Sequence, residues 1–299
     1  MADITVLEMQ KQELDEVKHK LKKEQRDLNI RKFFRNKMAV IGATLVLLML
    51  LVAIFAPVIA PYDPMASIGM NRLSPPSSEH IFGTDKLSRD VFSRVVYGTR
   101  VSMLVGLSVG LSSMIIGMFL GLYAAYYKWL DSIIMRICDG LSAIPSTLLA
   151  IALMAMLGST ATNVVIALCI VYVPRMARIA RSSALVVKEQ TYIEALRSQG
   201  ASGFRIIWRH IAPNILSVVV VQASYNFANS IITEAALSFL GVGIPVPEPS
   251  WGNILNEGKS VISQAWWLIL FPGLATALAV MGTNIFGDGL RDILDPRTH

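Results

Sequence analysis

Charge is scarce in this chain. Asp, Glu, Lys and Arg supply 16% of its 299 residues, against 54% hydrophobic. That balance excludes a soluble domain of this length, whose surface needs more charge. Histidine and cysteine are scarcer, at four and two. Cys138 and Cys169 both fall in predicted membrane spans, so neither suggests a secreted disulfide framework. His19, His80, His210 and His299 all lie outside those spans. This disposes of one tempting motif. Gly106-Leu-Ser108-Val-Gly110 matches the G-x-S-x-G pattern, but Ser108 sits mid-helix with no base in reach. Gly252 to Ser260 looks like a phosphate loop, yet Asn253 stands where its first Gly belongs and no apolar strand precedes it. No H-E-x-x-H or paired-Cys motif occurs, so neither a metal site nor catalytic chemistry is expected.

Long uncharged runs dominate what is present. Residues 38–60, 101–127 and 265–286 carry no charge. A helix needs about 20 apolar residues to cross a hydrocarbon core of about 30 Å, and each run suffices. Three further spans are less clean: 133–157 with Arg136, Asp139 and Pro145; 162–180 with Pro174; and 215–240 with Asn226, Asn229 and Glu234. The expected fold is therefore an all-α polytopic membrane protein with six transmembrane helices. Its parts are a cytosolic amphipathic tail (1–37), a first span (38–60), and an extracytoplasmic loop with an interfacial helix (61–100). A five-helix core (101–286) follows, with a cytosolic loop at 181–212 and an extracytoplasmic loop at 241–264. Residues 287–299 form a cytosolic C-terminus. Basic residues set the orientation: ten in 1–37 and seven in 174–212, against Lys259 alone in 241–264. Both termini are expected inside. The net charge of +6 lies beside cytosolic span ends, where anionic headgroups favour it, so nucleic acid is not an expected partner. No cleavable signal peptide is expected, because the first apolar run follows 37 polar residues and is too long.

In the tail, Leu7, Leu14, Leu21 and Leu28 recur every seven residues with Val17 between them. They predict an amphipathic helix on the membrane or on a neighbouring subunit, in preference to a partner coiled coil. In the outer loop, Thr84 or Asp85 is positioned to cap a helix, and Leu87, Val91 and Val95 share one face. Arg89 and Arg94 oppose the positive-inside trend and are expected to pair with Asp85, Asp90 or a partner chain. Gly106, Gly110, Gly117 and Gly121 form two small-xxx-small pairs that permit close helix packing. Asp139 is expected to pair with Arg136 three residues earlier.

The most ordered punctuation falls between Pro174 and Pro213. Arg175, Arg178 and Arg181 line the end of the fourth span. Thr191 is placed to cap a short helix from Tyr192 to Gln199, with Glu194 in its first turn, where the helix dipole favours an acid. Gly200 suits a left-handed C-cap. A second short helix, Ser202 to His210, leads to Pro213. Two short helices around a glycine make a compact knob suited to docking.

These residues resemble the permease family of ATP-binding-cassette importers, and most closely the C-type subunit of its dipeptide/oligopeptide/nickel group. The blocks that carry the likeness are Phe33 to Gly42 with Ile59-Ala-Pro-Tyr-Asp-Pro64; Phe82-Gly83-Thr84-Asp85 through Arg89-Asp90, Ser93-Arg94 and Gly98; the Glu194-Ala195 to Gly200 coupling motif; and Glu234 to Gly243, Pro249-Ser-Trp-Gly252 and Gly287 to Asp292. Leu196 replaces the usual second Ala of the coupling motif, and Ser88 stands where Gly is commoner. The resemblance implies the type I importer permease fold with a cytosolic coupling helix, in a bacterial cytoplasmic membrane. It also implies the partners: a homologous B-type permease, two ATPase subunits that hold ATP and Mg, and an extracytoplasmic substrate-binding protein. The coupling residues would be Tyr192, Glu194, Ala195, Leu196, Arg197, Gly200, Ala201, Ser202 and Gly203. Gly83, Thr84, Asp85, Arg89, Asp90 and Arg94 form the family's outer-loop motif.

Asn226, Asn229, Asn284 and Glu234 are candidate pathway-lining residues; the asparagines serve equally well as interhelical bonds. Short peptides are the expected cargo, because no His or Cys cluster suited to nickel lies in the spans. A nickel or other small-solute importer of the same family is the alternative. An ion-coupled secondary transporter ranks lower, since it needs intramembrane ionisable groups, and Asp139 and Glu234 are the only acids available.

Overall fold

A computed structural model describes residues 31–67 and 71–294, together with residues 17, 20, 24, 27, 28 and 30. Leu7, Leu14 and Leu21 of the tail pattern lie outside the described residues. Val17 and Leu28 are helical and exposed.

Among the described residues the protein is helical, with no strand. Helix α1 (Lys37–Ile54) begins where the Asn36 side chain accepts the Ala39 N–H at 3.1 Å. It ends before a one-turn helix, α2 (Ala56–Ile59), whose start carries Pro57. Helix α3 (Val91–Tyr126) has 36 residues, about 54 Å, and so projects well beyond a hydrocarbon core. Its cap is Asp90, which accepts the Ser93 N–H at 2.7 Å. The expected interfacial helix from Thr84 or Asp85 is absent: residues 84–90 form a tight turn bridged between Thr84 and Asp90. Asp85 bonds backbone inside that turn, leaving Asp90 to start the helix.

The third predicted span is broken. Helices α4 (Lys128–Ser142) and α5 (Ser146–Leu157) meet at 93°. Pro145 explains the break, because proline drives the residue before it out of the helical region. Helix α6 (Ala161–Lys188) runs through Pro174 and eight residues past the expected span end. Its arginines reach back to α4. Arg181 donates two bonds to Asp131 at 2.5 and 2.6 Å, and Arg178 lies 3.6 Å from Asp139. The partner of Asp139 is thus Arg178 on the neighbouring helix, not Arg136 on its own.

After the short helix α7 (Thr191–Ser198), α8 spans Gly203–Phe239 without interruption. The expected separate helix 202–210 is its first turns. A π-turn at Ile207–Ile211 fuses them: the Ala212 N–H bonds Ile207 O, a wider register beside Pro213, which has no N–H to offer. Helix α9 (Trp251–Lys259) starts at a reciprocal cap between Ser250 and Asn253. Helix α10 (Trp267–Leu294) closes the fold.

The glycine pairs of α3 serve two neighbours. A Cβ at Gly106 would stand 2.6 Å from the Phe227 ring on α8, and one at Gly121 would stand 2.6 Å from Ala180 Cβ on α6. Helix α3 is therefore the central post. Helices α1 and α10 lie antiparallel, and Asn36 donates to Asp292 at 3.2 Å, so both ends of the core emerge on one face. Among the described residues, five helices qualify as spans by length and composition, or six with α4–α5 counted as one bent span.

Candidate functional site

Helix α7 protrudes on the face where α3 and α6 end. Ile193 is fully buried among Leu122, Ala125, Ala180, Ala184, Ile206 and Ile207, while Leu196 packs at the edge of the same cluster. These contacts root the helix. Thr191, Tyr192, Glu194, Ala195, Arg197, Ser198, Gln199 and Gly200 stay exposed. Glu194 occupies the first turn, as expected. Thr191 is the first helical residue rather than the cap; Gln190 holds that place without a side-chain bond.

The exit from α7 is a complete Schellman turn. The Gly200 N–H bonds Arg197 O at 2.9 Å, and the Ala201 N–H bonds Leu196 O at 3.0 Å. Gly200 has φ +78°, and a Cβ there would meet nothing within 4 Å. The backbone conformation, not crowding, requires glycine. Leu196 and Ala201 both lie against the buried cluster, completing the usual apolar contact of this motif. Leu196 fills a half-buried place that the smaller Ala would leave emptier. Ser202 then caps α8 through the Arg205 N–H. Gly203 is crowded, with a Cβ there only 2.9 Å from both Tyr126 and Tyr127.

The outer-loop motif lies at the opposite end of α3. Asp85 accepts Arg89 Nε at 2.6 Å and Arg94 Nη1 at 2.5 Å. Glu257 accepts Arg89 Nη2 at 2.8 Å and Arg94 Nη1 at 2.6 Å. Two cations and two anions close a neutral cluster around a fully buried Arg94. Glu257 was not singled out by sequence reading, since it sits inside the discarded phosphate-loop match. The second acid that the sequence offers, Asp90, pairs with neither arginine because it caps α3 through the Ser93 N–H. Asp90 pairs with His80, Nδ1 to Oδ1 at 2.9 Å. Thr84 O accepts Trp267 Nε1 at 3.0 Å, and Gly83 has φ +75° with no room for a Cβ beside Trp267. The motif thus ties the loop to α3, α9 and α10.

The polar residues of the core separate into two kinds. Asn226 is fully buried; it donates to Ser113 on α3 at 3.0 Å and accepts from Gln222 at 2.8 Å. Glu234 is fully buried, accepting Ser102 Oγ at 2.9 Å and Ser238 Oγ at 2.8 Å. Asn229 and Asn284 are partly exposed. Among the described residues no group of three or more His, Cys, Asp or Glu is placed to hold a metal ion.

The structure is thus a helical protein with several candidate membrane spans and a short helix rooted between two of them. The chain belongs to the binding-protein-dependent transport system inner membrane component family, whose model matches residues 113–299. A second model, the N-terminal transmembrane domain of oligopeptide transport permease C, matches residues 26–76. A putative peptide transport system permease of Brucella abortus is 46% identical over 270 residues, covering 90% of this chain and 91% of that one. The dipeptide transport system permease of Alkalihalophilus pseudofirmus is 44% identical, covering 88% and 87%. The glutathione transport system permease of Pectobacterium atrosepticum is 47% identical, covering 89% of each.

Proposed function

We propose that this permease forms, with a homologous B-type permease, the pathway by which short peptides enter a bacterial cell through its cytoplasmic membrane. An extracytoplasmic binding protein delivers the peptide. Two ATPase subunits, which hold the ATP and Mg, dock on the coupling helices from the cytosol. The observation that carries this reading is the division of α7 into a buried root at Ile193 and an exposed face at Tyr192, Glu194 and Arg197. A helix rooted this way moves its neighbours when its free face is pushed. ATP drives inward transport only by favouring one conformation of the assembly over another. The basic residues of 1–37 and 174–212 support a cytosolic placement of α7 and both termini. Peptide, dipeptide and glutathione permeases among the relatives support a peptide cargo.

We assign pathway lining to Asn229 and Asn284, which stay partly exposed. Asn226 and Glu234 hold the helices beside that pathway. The test is ATP hydrolysis by the whole complex, co-purified from native membranes and reconstituted with its binding protein. Short peptides are expected to stimulate hydrolysis, and chelated nickel is not. Stimulation by nickel alone would move the cargo to the metal branch, and absence of any co-purifying ATPase would overturn the coupling assignment.

A further inference from the structure

Tyr126, the last residue of α3, is held from three sides. Lys188 Nζ, at the end of α6, donates to Ala125 O at 2.6 Å and to Tyr126 O at 3.3 Å. These carbonyls close the C-terminus of α3, where a cation is favoured. The same Nζ lies 5.8 Å from the Tyr126 ring centroid. Arg197 of α7 lies 5.2 Å from that centroid. Gly203, at the start of α8, presses so close that a Cβ would come within 2.9 Å of the ring. One aromatic ring therefore meets α6, α7 and α8, and it belongs to a fourth helix, α3. At the far end of α3, its cap Asp90 pairs with His80 of the extracytoplasmic loop and Arg94 donates to Glu257 of α9.

We propose that Tyr126 is the positioning residue that transmits movement of α7 to α3, and through α3 to the Arg94–Glu257 clamp at the outer face. This rests on the coupling role proposed for α7. The ring face is the working part: it faces two cations and packs on a glycine, and cation–ring attraction needs the aromatic quadrupole, not the hydroxyl. A continuous helix suits the task because it shifts as a unit, whereas the 93° break between α4 and α5 gives those helices a joint.

The experiment uses the full complex with its ATPases, with Cys138 and Cys169 replaced by Ala and a single reporter, Ile262→Cys, exposed just beyond α9. Its maleimide labelling rate is measured with and without ATP and vanadate. No transported cargo is needed, so the result is independent of the peptide assignment. The otherwise unchanged complex is expected to change its labelling rate on trapping. Tyr126→Leu is expected to lose that response while its ATPases still co-purify, and Tyr126→Phe to keep it. Lys188→Met, which leaves the ring in place, is expected to weaken it. A Tyr126→Leu complex that responds fully overturns the proposal. So does one that sheds its ATPases, because Tyr126 would then serve docking alone, or a Phe variant that fails like Leu. If the unvaried complex carries no ATPase, the coupling role of α7 fails first, and that outcome is seen before any variant is made.

Discussion

Gly200 and Arg94 show two ways in which one residue becomes irreplaceable. At Gly200 there is free space but a left-handed backbone, so the cost of a side chain is conformational. Gly200→Val is expected to lower the stability of the knob by about 1–2 kcal/mol and to release ATPase during purification. Gly200→Asn, which visits the left-handed region readily, is expected to do less. Quantifying the ATPase retained by each complex checks the order. At Arg94 the constraint is electrostatic. Removing one acid leaves a buried guanidinium undercompensated, a loss of roughly 3–5 kcal/mol for a buried pair. Asp85→Asn is expected to destabilise more than Glu257→Gln. The Asp85 side chain is wholly enclosed, whereas that of Glu257 keeps 18% exposure and has water to compensate it. Thermal denaturation in detergent reads the difference. Ser88, with φ +59°, sits in a conformation that glycine takes at least cost.

Helices pack by what their neighbours leave open. In α3, Gly106 and Gly110 admit α8, while Gly117 and Gly121 admit α6. The spacing announced close packing but not which helix would use which pair. In lipid no hydrophobic drive favours one contact over another, so van der Waals fit decides. Gly121→Val is expected to push α6 off α3, because a Cβ already meets Ala177 O at 2.5 Å. Disulfide trapping between cysteines placed at Met176, in a buried cluster, and at Met118, packed against that cluster, is expected to slow markedly in that variant. Proline acted differently in three helices. Pro145 follows a break, Pro174 lies inside a continuous helix, and Pro213 accompanies a π-turn. Each outcome depends on whether adjacent helices resupply the bonds that proline forfeits, which the local sequence does not state.

At the scale of the whole molecule, α3 separates two ends of the protein. The knob, Tyr126 and both ends of the described core lie at one end, and the Asp85–Arg94–Glu257 cluster lies at the other. Cysteines at Phe34 and Phe204, both exposed, are expected to react with a membrane-impermeant maleimide only from the cytosol. A cysteine at Ile81, also exposed, is expected to react only from outside. Labelling of intact cells against opened vesicles checks the arrangement, and reaction of Phe34→Cys and Ile81→Cys from the same side would overturn it.

The sequence by itself determined the all-helical membrane class, the left-handed turn at Gly200 and the acid in the first turn of α7, whereas of its six expected crossings five are continuous helices and one is bent at 93°. Those properties depend on local composition and backbone preference, which each segment carries alone. It also announced that Arg89 and Arg94 needed compensation, since outer basic charges in a permease must be matched. Only the tertiary structure decided that Glu257 supplies half of that compensation, that Asp139 turns to Arg178, and that Asn226 spends its amide on Ser113. These are pairings between residues distant in the chain. Their partners are chosen by which helix faces which, a matter of packing that no single segment encodes.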